Sequence, residues 1–229
     1  MKKLLAAIIA AALLLSGCSL SSRPAVSAPP AETPSPSPTP IVTPIVTPTP
    51  APEPSDDELV LVRDYIPGIF IDLKYATTDN FTGQVIYDSD EAYLRYGTVK
   101  KLLAAQNELS GRGLSLKIWD AYRPVSAQFK LWEICPNPVY VSDPNNGYSK
   151  HSRANTVDIT LVTSTGESIP MPSGFDDFTS LADRDYSDVS AEAAENARLL
   201  ENVMVENGFV PYSGEWWHYS DSVSYDVYG

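Results

Sequence analysis

Ser149-Lys-His-Ser-Arg-Ala-Asn-Thr-Val-Asp158, continued by Ile-Thr-Leu-Val162, joins a polar segment to a run of β-branched and apolar residues. The run over residues 156–162 predicts a buried β-strand. Asp158 lies inside this run, and a lone carboxylate among apolar neighbours is costly unless it is paired or binds a cation. The stretch therefore predicts a core strand with a charged group that needs a partner.

A second stretch, Glu215-Trp-Trp-His218, supplies the partners that a metal site would need. The chain has only two histidines, His151 and His218. Together with Asp158 they offer three nitrogen or oxygen ligands, which is enough for a catalytic zinc that keeps a fourth position open for water. Glu215 would then remain to accept a proton from that water. The alternatives are that each histidine is a core residue and that Glu215 lies on a solvated strand edge.

The spacing within the second stretch adds a structural condition. Residues three apart in a regular strand point to opposite faces, so Glu215 and His218 would not meet there. A shared site therefore predicts a bulge or a strand end between them.

Patterns along the rest of the chain predict the fold class. We expect helices over 91–111, 124–133 and 190–207, and strands over 60–63, 69–75, 115–119, 156–162, 209–212 and 215–219. Ser190 is the expected N-cap of the last helix and Gly208 its stop. Because helices and strands do not alternate strictly, we predict an α+β domain over 57–229, with a mainly antiparallel sheet flanked by helices.

The N-terminus has the pattern of an export signal. Lys2 and Lys3 precede an apolar run over 4–15 that is too short for a relaxed membrane span. The run ends in Leu15-Ser-Gly-Cys18, which resembles the lipobox of bacterial lipoproteins. That resemblance implies a signal peptide over 1–18, lipidation of Cys18 and an extracytoplasmic protein held at the bacterial cell membrane by its lipid anchor. The alternative is an ordinary signal peptide with a chance cysteine.

Residues 19–56 have the composition of a linker. They hold most of the chain's 20 prolines together with Ser, Thr and Ala, and the tetrad Ile-Val-Thr-Pro occurs twice, at 41–44 and 45–48. Such a segment cannot bury enough apolar surface to fold, and its prolines favour extended polyproline II. We predict a disordered linker, either a tether that reaches into the cell wall or a simple spacer.

Charge and cysteine content exclude other classes of function. The net charge of −13 repels phosphate backbones, so we expect no nucleic-acid partner. Two cysteines cannot build a disulfide framework. The sequence indicates no oligomeric state.

Several segments resemble one known family. Ser149-x-His-x-x-Ala-x-Thr-x-Asp158 resembles the Ser-x-His-x-x-Gly-x-Ala-x-Asp signature of the zinc D,D-peptidases, and Glu215-Trp-Trp-His218 resembles their Glu-x-Trp-His signature. This family shares its fold with the Hedgehog signalling domain and includes D-alanyl-D-alanine dipeptidases and D,D-carboxypeptidases. The VanX-type dipeptidase branch is favoured by the segments Lys74–Gly83, Ile118–Pro124, Pro170-Met171 and Phe175-Asp176.

The resemblance implies a role for each matching residue. It assigns one Zn²⁺ per chain to His151, Asp158 and His218. Glu215 would act as general base and then as general acid, and Arg123 would stabilise the oxyanion. The ends of the substrate would be bound by Ser149, Tyr75 and Asp176, with Asp176 facing the ammonium group. From the residues alone, Arg123 could instead form a surface ion pair, Asp176 could cap a loop, and Tyr75 could pack in the core. Trp216 and Trp217 are expected to pack rather than to bind anything.

Two positions depart from the family pattern. Ala154 stands where the family has Gly, and Thr156 stands where it has Ala. If residue 154 adopts a left-handed backbone, its methyl group costs about 1–2 kcal/mol.

The expected function is zinc-dependent hydrolysis of the D-alanyl-D-alanine dipeptide at the cell envelope. One alternative is a D,D-carboxypeptidase that trims the terminal D-Ala from peptidoglycan stem peptides. The other is a non-catalytic, zinc-bearing wall-binding domain, although such a binder needs no general base at Glu215.

Overall fold

A computed structural model of the protein describes residues 52–229, in which seven strands and four α-helices form. The strands are β1 (Leu59–Leu61), β2 (Phe70–Ile71), β3 (Tyr93–Arg95), β4 (Leu114–Asp120), β5 (Thr156–Thr163), β6 (Phe209–Tyr212) and β7 (Glu215–Asp221). The α-helices are α1 (Val62–Tyr65), α2 (Tyr96–Ser110), α3 (Val125–Ile134) and α4 (Ala191–Glu206). Short 3₁₀-helices span Lys74–Ala76, Lys150–Arg153 and Ser180–Ala182.

Five of the strands form the central sheet, in the order β2-β4-β5-β7-β6. Only β2 and β4 run parallel, and the other neighbouring pairs are antiparallel. A separate antiparallel pair joins β1 to β3. The predicted α+β class with a mainly antiparallel sheet is therefore confirmed.

The core lies between this sheet and the helices α2 and α4, which pack against each other. Strand β5 is buried along nearly its whole length, as the apolar run over 156–162 predicts. Its Val157 and Ile159 are fully buried, as are Leu102 on α2 and Leu200 on α4. Burial of this apolar surface is the main contribution to folding, and it fixes the central strands that carry the site.

The ends of the two long helices follow from their capping residues. The Ser190 hydroxyl accepts a hydrogen bond from the Ala193 N–H at 3.1 Å, so Ser190 is the N-cap of α4. Gly208 follows the helix with φ +86°, a conformation that favours glycine. Helix α2 ends at Ser110, immediately before Gly111. Both predicted helix stops are confirmed.

The elements near the start of the domain differ from the prediction. The helix predicted over 91–111 begins only at Tyr96, because Tyr93–Arg95 pair with β1 instead. The strand predicted over 69–75 is limited to Phe70–Ile71, which pair with β4 at the edge of the sheet before the chain turns into a 3₁₀-helix. Backbone pairing with distant strands decides these short segments, and their local patterns do not.

The predicted signal peptide and most of the predicted linker lie outside the described residues. The last linker residues are described, and they contact α2: the Gly97 N–H donates to the Asp56 carbonyl at 2.9 Å, and the Tyr96 hydroxyl donates to the Glu53 carboxylate. None of the helices within 52–229 combines the length and the apolar character that a membrane crossing requires.

Candidate metal centre and active site

The central strands place three ionisable side chains next to one another. Asp158 on β5 is paired in register with His218 on β7 and with Asp120 on β4. The β4–β5 ladder is irregular between Ile118 and Asp120. Strand β4 has one extra residue between these two positions. Since side chains alternate between the faces of a regular strand, the extra residue brings Asp120 to the same face as Asp158.

His151 reaches the same place from the 3₁₀-helix that precedes β5. The buried Ser149 begins this helix, and its hydroxyl accepts a hydrogen bond from the His151 N–H at 3.3 Å. Ala154 ends it in the left-handed conformation, with φ +58° and ψ +28°. Residue 154 therefore meets the condition considered above, and the alanine methyl strains the turn that carries the chain into β5.

His151, Asp158 and His218 form a cluster in which the possible ligand atoms lie within 4.8 Å of one another. His151 Nε2 is 3.3 Å from Asp158 Oδ2, and His218 Nδ1 is 2.9 Å from Asp158 Oδ1. His151 Nδ1 lies 2.9 Å from the Ala121 carbonyl, so it carries the proton and leaves the Nε2 lone pair free. Two imidazole nitrogens and a carboxylate oxygen in this arrangement fit a zinc ion that keeps one position open.

The electrostatics of the cluster also suit a cation. Burial alone would raise the pKa of Asp158, but the imidazoles of His151 and His218 hold it well below its ordinary value. Burial lowers the pKa of His218 and keeps it in the neutral form that binds metals. The pKa of His151 is raised despite burial, because Asp158 and Asp120 favour positive charge at this point.

Glu215, the first residue of β7, lies beside the cluster. The β6–β7 ladder is irregular between Pro211 and Tyr212, which is the kind of distortion that the spacing predicts. Glu215 Oε2 consequently lies 3.5 Å from His218 Nδ1. Burial, and then the nearby Asp158, raise the pKa of Glu215 to about 8. The side chain lines an open cleft of about 200 Å³.

Arg123 is buried next to the cluster, which rules out the surface ion pair considered above. Its Nε and Nη2 donate to Asp120 Oδ2 at 3.2 and 2.6 Å, and its Nη1 donates to Gln128 Oε1 at 2.9 Å. Three of the five guanidinium N–H groups are therefore committed, and two remain for other acceptors. The guanidinium carbon lies 4.9 Å from the centroid of the Tyr75 ring.

Tyr75 and Asp176 meet although 101 positions separate them in the sequence. The buried Tyr75 hydroxyl donates to Asp176 Oδ2 at 2.7 Å. Burial raises the pKa of Asp176 to about 7. Its neighbour Asp177 caps the loop by accepting from the Thr179 N–H at 2.9 Å. Asp177 thus takes the capping role once considered for Asp176, and Asp176 faces the site.

Three residues that the sequence reasoning missed complete this network. Asp120 fixes Arg123 and lies 3.6 Å from His151 Nδ1, Tyr87 donates its hydroxyl to Asp120, and Gln128 anchors Arg123 from α3. A signal for Asp120 is its carboxylate at the end of an apolar strand, three residues before an arginine. Gln128 is fully buried and could have been suspected only from the apolar residues around it.

The remaining predicted residues are two tryptophans that the structure describes and one cysteine that it does not. Trp216 and Trp217 are fully buried, and the Trp216 indole N–H donates to the Ser173 hydroxyl at 2.9 Å, in agreement with a packing role. Cys18 lies outside the described residues, so its lipidation stays a prediction.

Comparisons with known proteins agree with the geometry. The family described as D-ala-D-ala dipeptidase matches residues 55–225. The chain is 39% identical over 162 residues to the D-alanyl-D-alanine dipeptidase of Escherichia coli (strain K12), covering 71% of this chain and 83% of that protein. It is 35% identical over 176 residues to the dipeptidase of the same name from Enterococcus faecium, covering 68% and 87% of the two chains. For the one from Enterococcus faecalis (strain ATCC 700802 / V583) the identity is 34% over 185 residues, covering 72% and 91%.

Proposed function

The chain belongs to the D-Ala-D-Ala dipeptidase family of peptidases, and from that membership we propose that it hydrolyses the D-alanyl-D-alanine dipeptide with one Zn²⁺ held by His151, Asp158 and His218. The observation that carries the proposal is the convergence of these three ligands, with Glu215 beside them at an open cleft. When bound there, zinc supplies Lewis-acid chemistry, which lowers the pKa of water and polarises a carbonyl group.

Glu215 is the proposed general base. Its carboxylate accepts a proton from the attacking water and then donates it to the leaving amine nitrogen. Burial raises its pKa to about 8, so it holds a transferred proton well. A divalent cation in the adjacent cluster favours the carboxylate and brings the residue back towards the ionised form at neutral pH.

Arg123 is the proposed group that stabilises the oxyanion. Asp120 and Gln128 hold its guanidinium in one orientation, so its two free N–H groups are positioned before the substrate binds. Because the group is buried, the interaction with the negative charge that develops on the carbonyl oxygen is stronger than in water.

Asp176 and Tyr75 are the proposed partners of the substrate's free ammonium group. A buried carboxylate gains most from a cationic partner, and Asp176 offers its second oxygen while the Tyr75 hydroxyl holds the first. A peptide without a free amine at this point leaves the carboxylate unpaired, which favours free dipeptides over longer chains. Ser149, whose hydroxyl already accepts from the His151 N–H, lines the same cleft as Glu215 and is the proposed contact for the rest of the dipeptide.

The test combines metal content with substrate choice. We expect purified protein to contain about one zinc per chain, to cleave D-alanyl-D-alanine, and to lose activity with a chelator and regain it with added zinc. A pentapeptide ending in D-Ala-D-Ala is the comparison substrate. Cleavage of the pentapeptide alone would make the protein a D,D-carboxypeptidase, and bound zinc without cleavage of either substrate would make it a binding domain.

We also propose that the domain works outside the cytoplasmic membrane, tethered through lipid on Cys18. The support is the sequence alone: a charged and apolar N-terminus, a cysteine in a lipobox-like setting, and a proline-rich segment before the domain. In a bacterial host, the wild-type chain should fractionate with membranes and incorporate labelled fatty acid. Cys18→Ser should remove the label and release the protein, whereas an unlabelled wild-type protein would overturn the proposal.

A further inference from the structure

Lys150 lies between Ser149 and the metal ligand His151, in the 3₁₀-helix Lys150–Arg153. Its side chain is exposed and lines the cleft of about 200 Å³ together with Ser149, Glu215 and His218. It is the only lysine or arginine among the described residues that line this cleft. The active-site opening therefore has a single cationic side chain on its wall.

The Lys150 ammonium group lies near the Tyr212 ring. The Lys150 Nζ is 6.0 Å from the centroid of the Tyr212 ring, at the outer limit of a cation–π contact. The same ring packs edge-on against the His218 imidazole, with 5.7 Å between the two centroids. The ammonium group thus lies on the His218 side of the cleft.

The charges around the cleft leave Lys150 without a competing partner. Lys74, Lys100 and Lys101 each form an ion pair with an aspartate, but within residues 52–229 no carboxylate pairs with Lys150. Arg123 is already paired with Asp120. An anionic group that enters this acidic site consequently finds an available ammonium group at Lys150.

Asp176 is connected to the metal-binding cluster through a series of side-chain contacts. It is bonded to Tyr75, whose ring lies under the Arg123 guanidinium, and Arg123 is joined through Asp120 to His151. Asp176 lines a different cleft, of about 400 Å³, from the one that Lys150 lines. Contacts therefore connect a carboxylate in one cleft and an unpaired ammonium group in another cleft to the same metal-binding cluster.

We propose that Lys150 binds the C-terminal carboxylate of the substrate, so that the two charged ends of a zwitterionic dipeptide are read by Asp176 and Lys150. This inference rests on the proposed peptidase function and names a substrate-binding residue for it.

The test crosses two substrates with three enzyme variants. The substrates are D-alanyl-D-alanine and its C-terminal amide, and the variants are Lys150→Met, Lys150→Arg and, as matched control, Lys100→Met on the surface of α2. We expect the wild-type protein to prefer the free carboxylate. Lys150→Met should raise KM for the dipeptide by roughly tenfold, leave KM for the amide nearly unchanged and change kcat little. Lys150→Arg should retain most of the preference, and Lys100→Met should behave as wild type.

A binding measurement makes the outcome independent of turnover. In the Glu215→Gln background, titration calorimetry with the intact dipeptide should show the same roughly tenfold loss of affinity when Lys150 is replaced by Met. Equal effects of Lys150→Met on the dipeptide and the amide would overturn the role of Lys150 while leaving the peptidase function standing. A wild-type protein that neither binds nor cleaves either compound would instead overturn the proposed function, and the role of Lys150 with it.

Discussion

Glu215 allows the proposed chemistry to be separated from metal binding, because its carboxylate lies 3.5 Å from His218 and is not one of the three ligands. We predict that Glu215→Gln lowers kcat by about 10²- to 10⁴-fold, the usual contribution of a general base, while the zinc content stays at one per chain. Metal analysis and steady-state kinetics on the same preparation measure both. The exposed Glu192→Gln on α4 is the control, and a variant that loses its zinc would show that Glu215 is a ligand instead.

Asp176 makes a pH-dependent contribution to stability that can be measured without substrate. Burial raises its pKa from the ordinary 3.8 to about 7, so between these pH values the unfolded chain binds fewer protons than the folded one. The free energy of unfolding therefore falls as pH rises from about 4 to about 7, by a few kcal/mol for this one group. In the proposed function, the ammonium group of the substrate neutralises this destabilising carboxylate.

We predict that Asp176→Asn makes the metal-free protein more stable than wild type at pH 8, and that the gain disappears towards pH 4. The asparagine can still accept the Tyr75 hydrogen bond but has no charge to bury. Urea unfolding at several pH values measures the difference, with the exposed Asp64→Asn as control. An equal difference at pH 4 and pH 8 would show that the carboxyl group is not responsible.

Helix α3 connects Arg123, the proposed oxyanion-stabilising residue, to the wall of the cleft through the buried side chain of Gln128. Gln128 accepts from Arg123 Nη1 at 2.9 Å and donates to the Ser142 carbonyl at 2.6 Å. Gln128→Leu removes both bonds and leaves the buried Arg123 Nη1–H without its acceptor, so we predict a loss of about 1–3 kcal/mol in stability and at least a tenfold loss in kcat/KM. Denaturant unfolding and kinetics measure the two effects.

Gln128→Glu separates these two roles of the same residue. The glutamate keeps an acceptor for Arg123 but cannot donate to the Ser142 carbonyl. Activity should therefore recover more than stability does. If Gln128→Leu lowered stability and left kcat/KM unchanged, Gln128 would be a structural residue and not one that positions Arg123.

Helix α4 provides a contrasting test, in which stability changes and catalysis does not. Ser190 caps the helix through a 3.1 Å bond from the Ala193 N–H, far along the chain from the ligands. We predict that Ser190→Ala costs about 1 kcal/mol in the free energy of unfolding and leaves KM and kcat unchanged. Ser187→Ala, which removes only an exposed bond to Asp185, should cost less. A loss of activity in the Ser190 variant would indicate that α4 supports the site.

The elements that could be predicted from the sequence are those whose own pattern decides them. Strand β5 and helix α4 follow from a continuous apolar run and from capping residues, and both form as expected. The irregularities in β4 and β7 depend on the partner strand, because each one is a shift in the register between two paired strands. For β7 the chemistry of Glu215 and His218 required a distortion, and so it could be anticipated. For β4 nothing in the sequence required one, and Asp120 was missed.

Across residues 52–229 as a whole, the site is built from segments that are distant in the sequence. The candidate metal ligands could be proposed from the sequence because the chain has only two histidines, which leaves few ways to complete a zinc site. The family resemblance assigns both Tyr75 and Asp176 to the substrate, but neither the resemblance nor any local pattern predicts the hydrogen bond between them. The orientation of Arg123 by Asp120 and Gln128 required the packed structure.

Metal binding should stabilise the whole domain, because its three ligands come from the 3₁₀-helix before β5, from β5 itself and from β7. An ion that binds the folded chain and not the unfolded one adds RT ln(1 + [L]/Kd) to the free energy of unfolding. We predict that a chelator lowers the melting temperature by several degrees, since about 1 kcal/mol shifts Tm by roughly 2–4 °C in a domain of this size. Hydrolysis should be lost in parallel, and added zinc should restore both.

Asp158→Asn is the matched control for this experiment. It keeps the shape of the side chain but removes one negative charge from the proposed metal site, which weakens zinc binding. The melting temperature of the variant in zinc should therefore lie near that of the chelated wild type. It should also not respond to the chelator. His218 would then lose the carboxylate that holds its Nδ1 at 2.9 Å. A wild-type melting temperature that does not change with chelator would show that the cluster of His151, Asp158 and His218 is held together by its own hydrogen bonds and not by a metal ion.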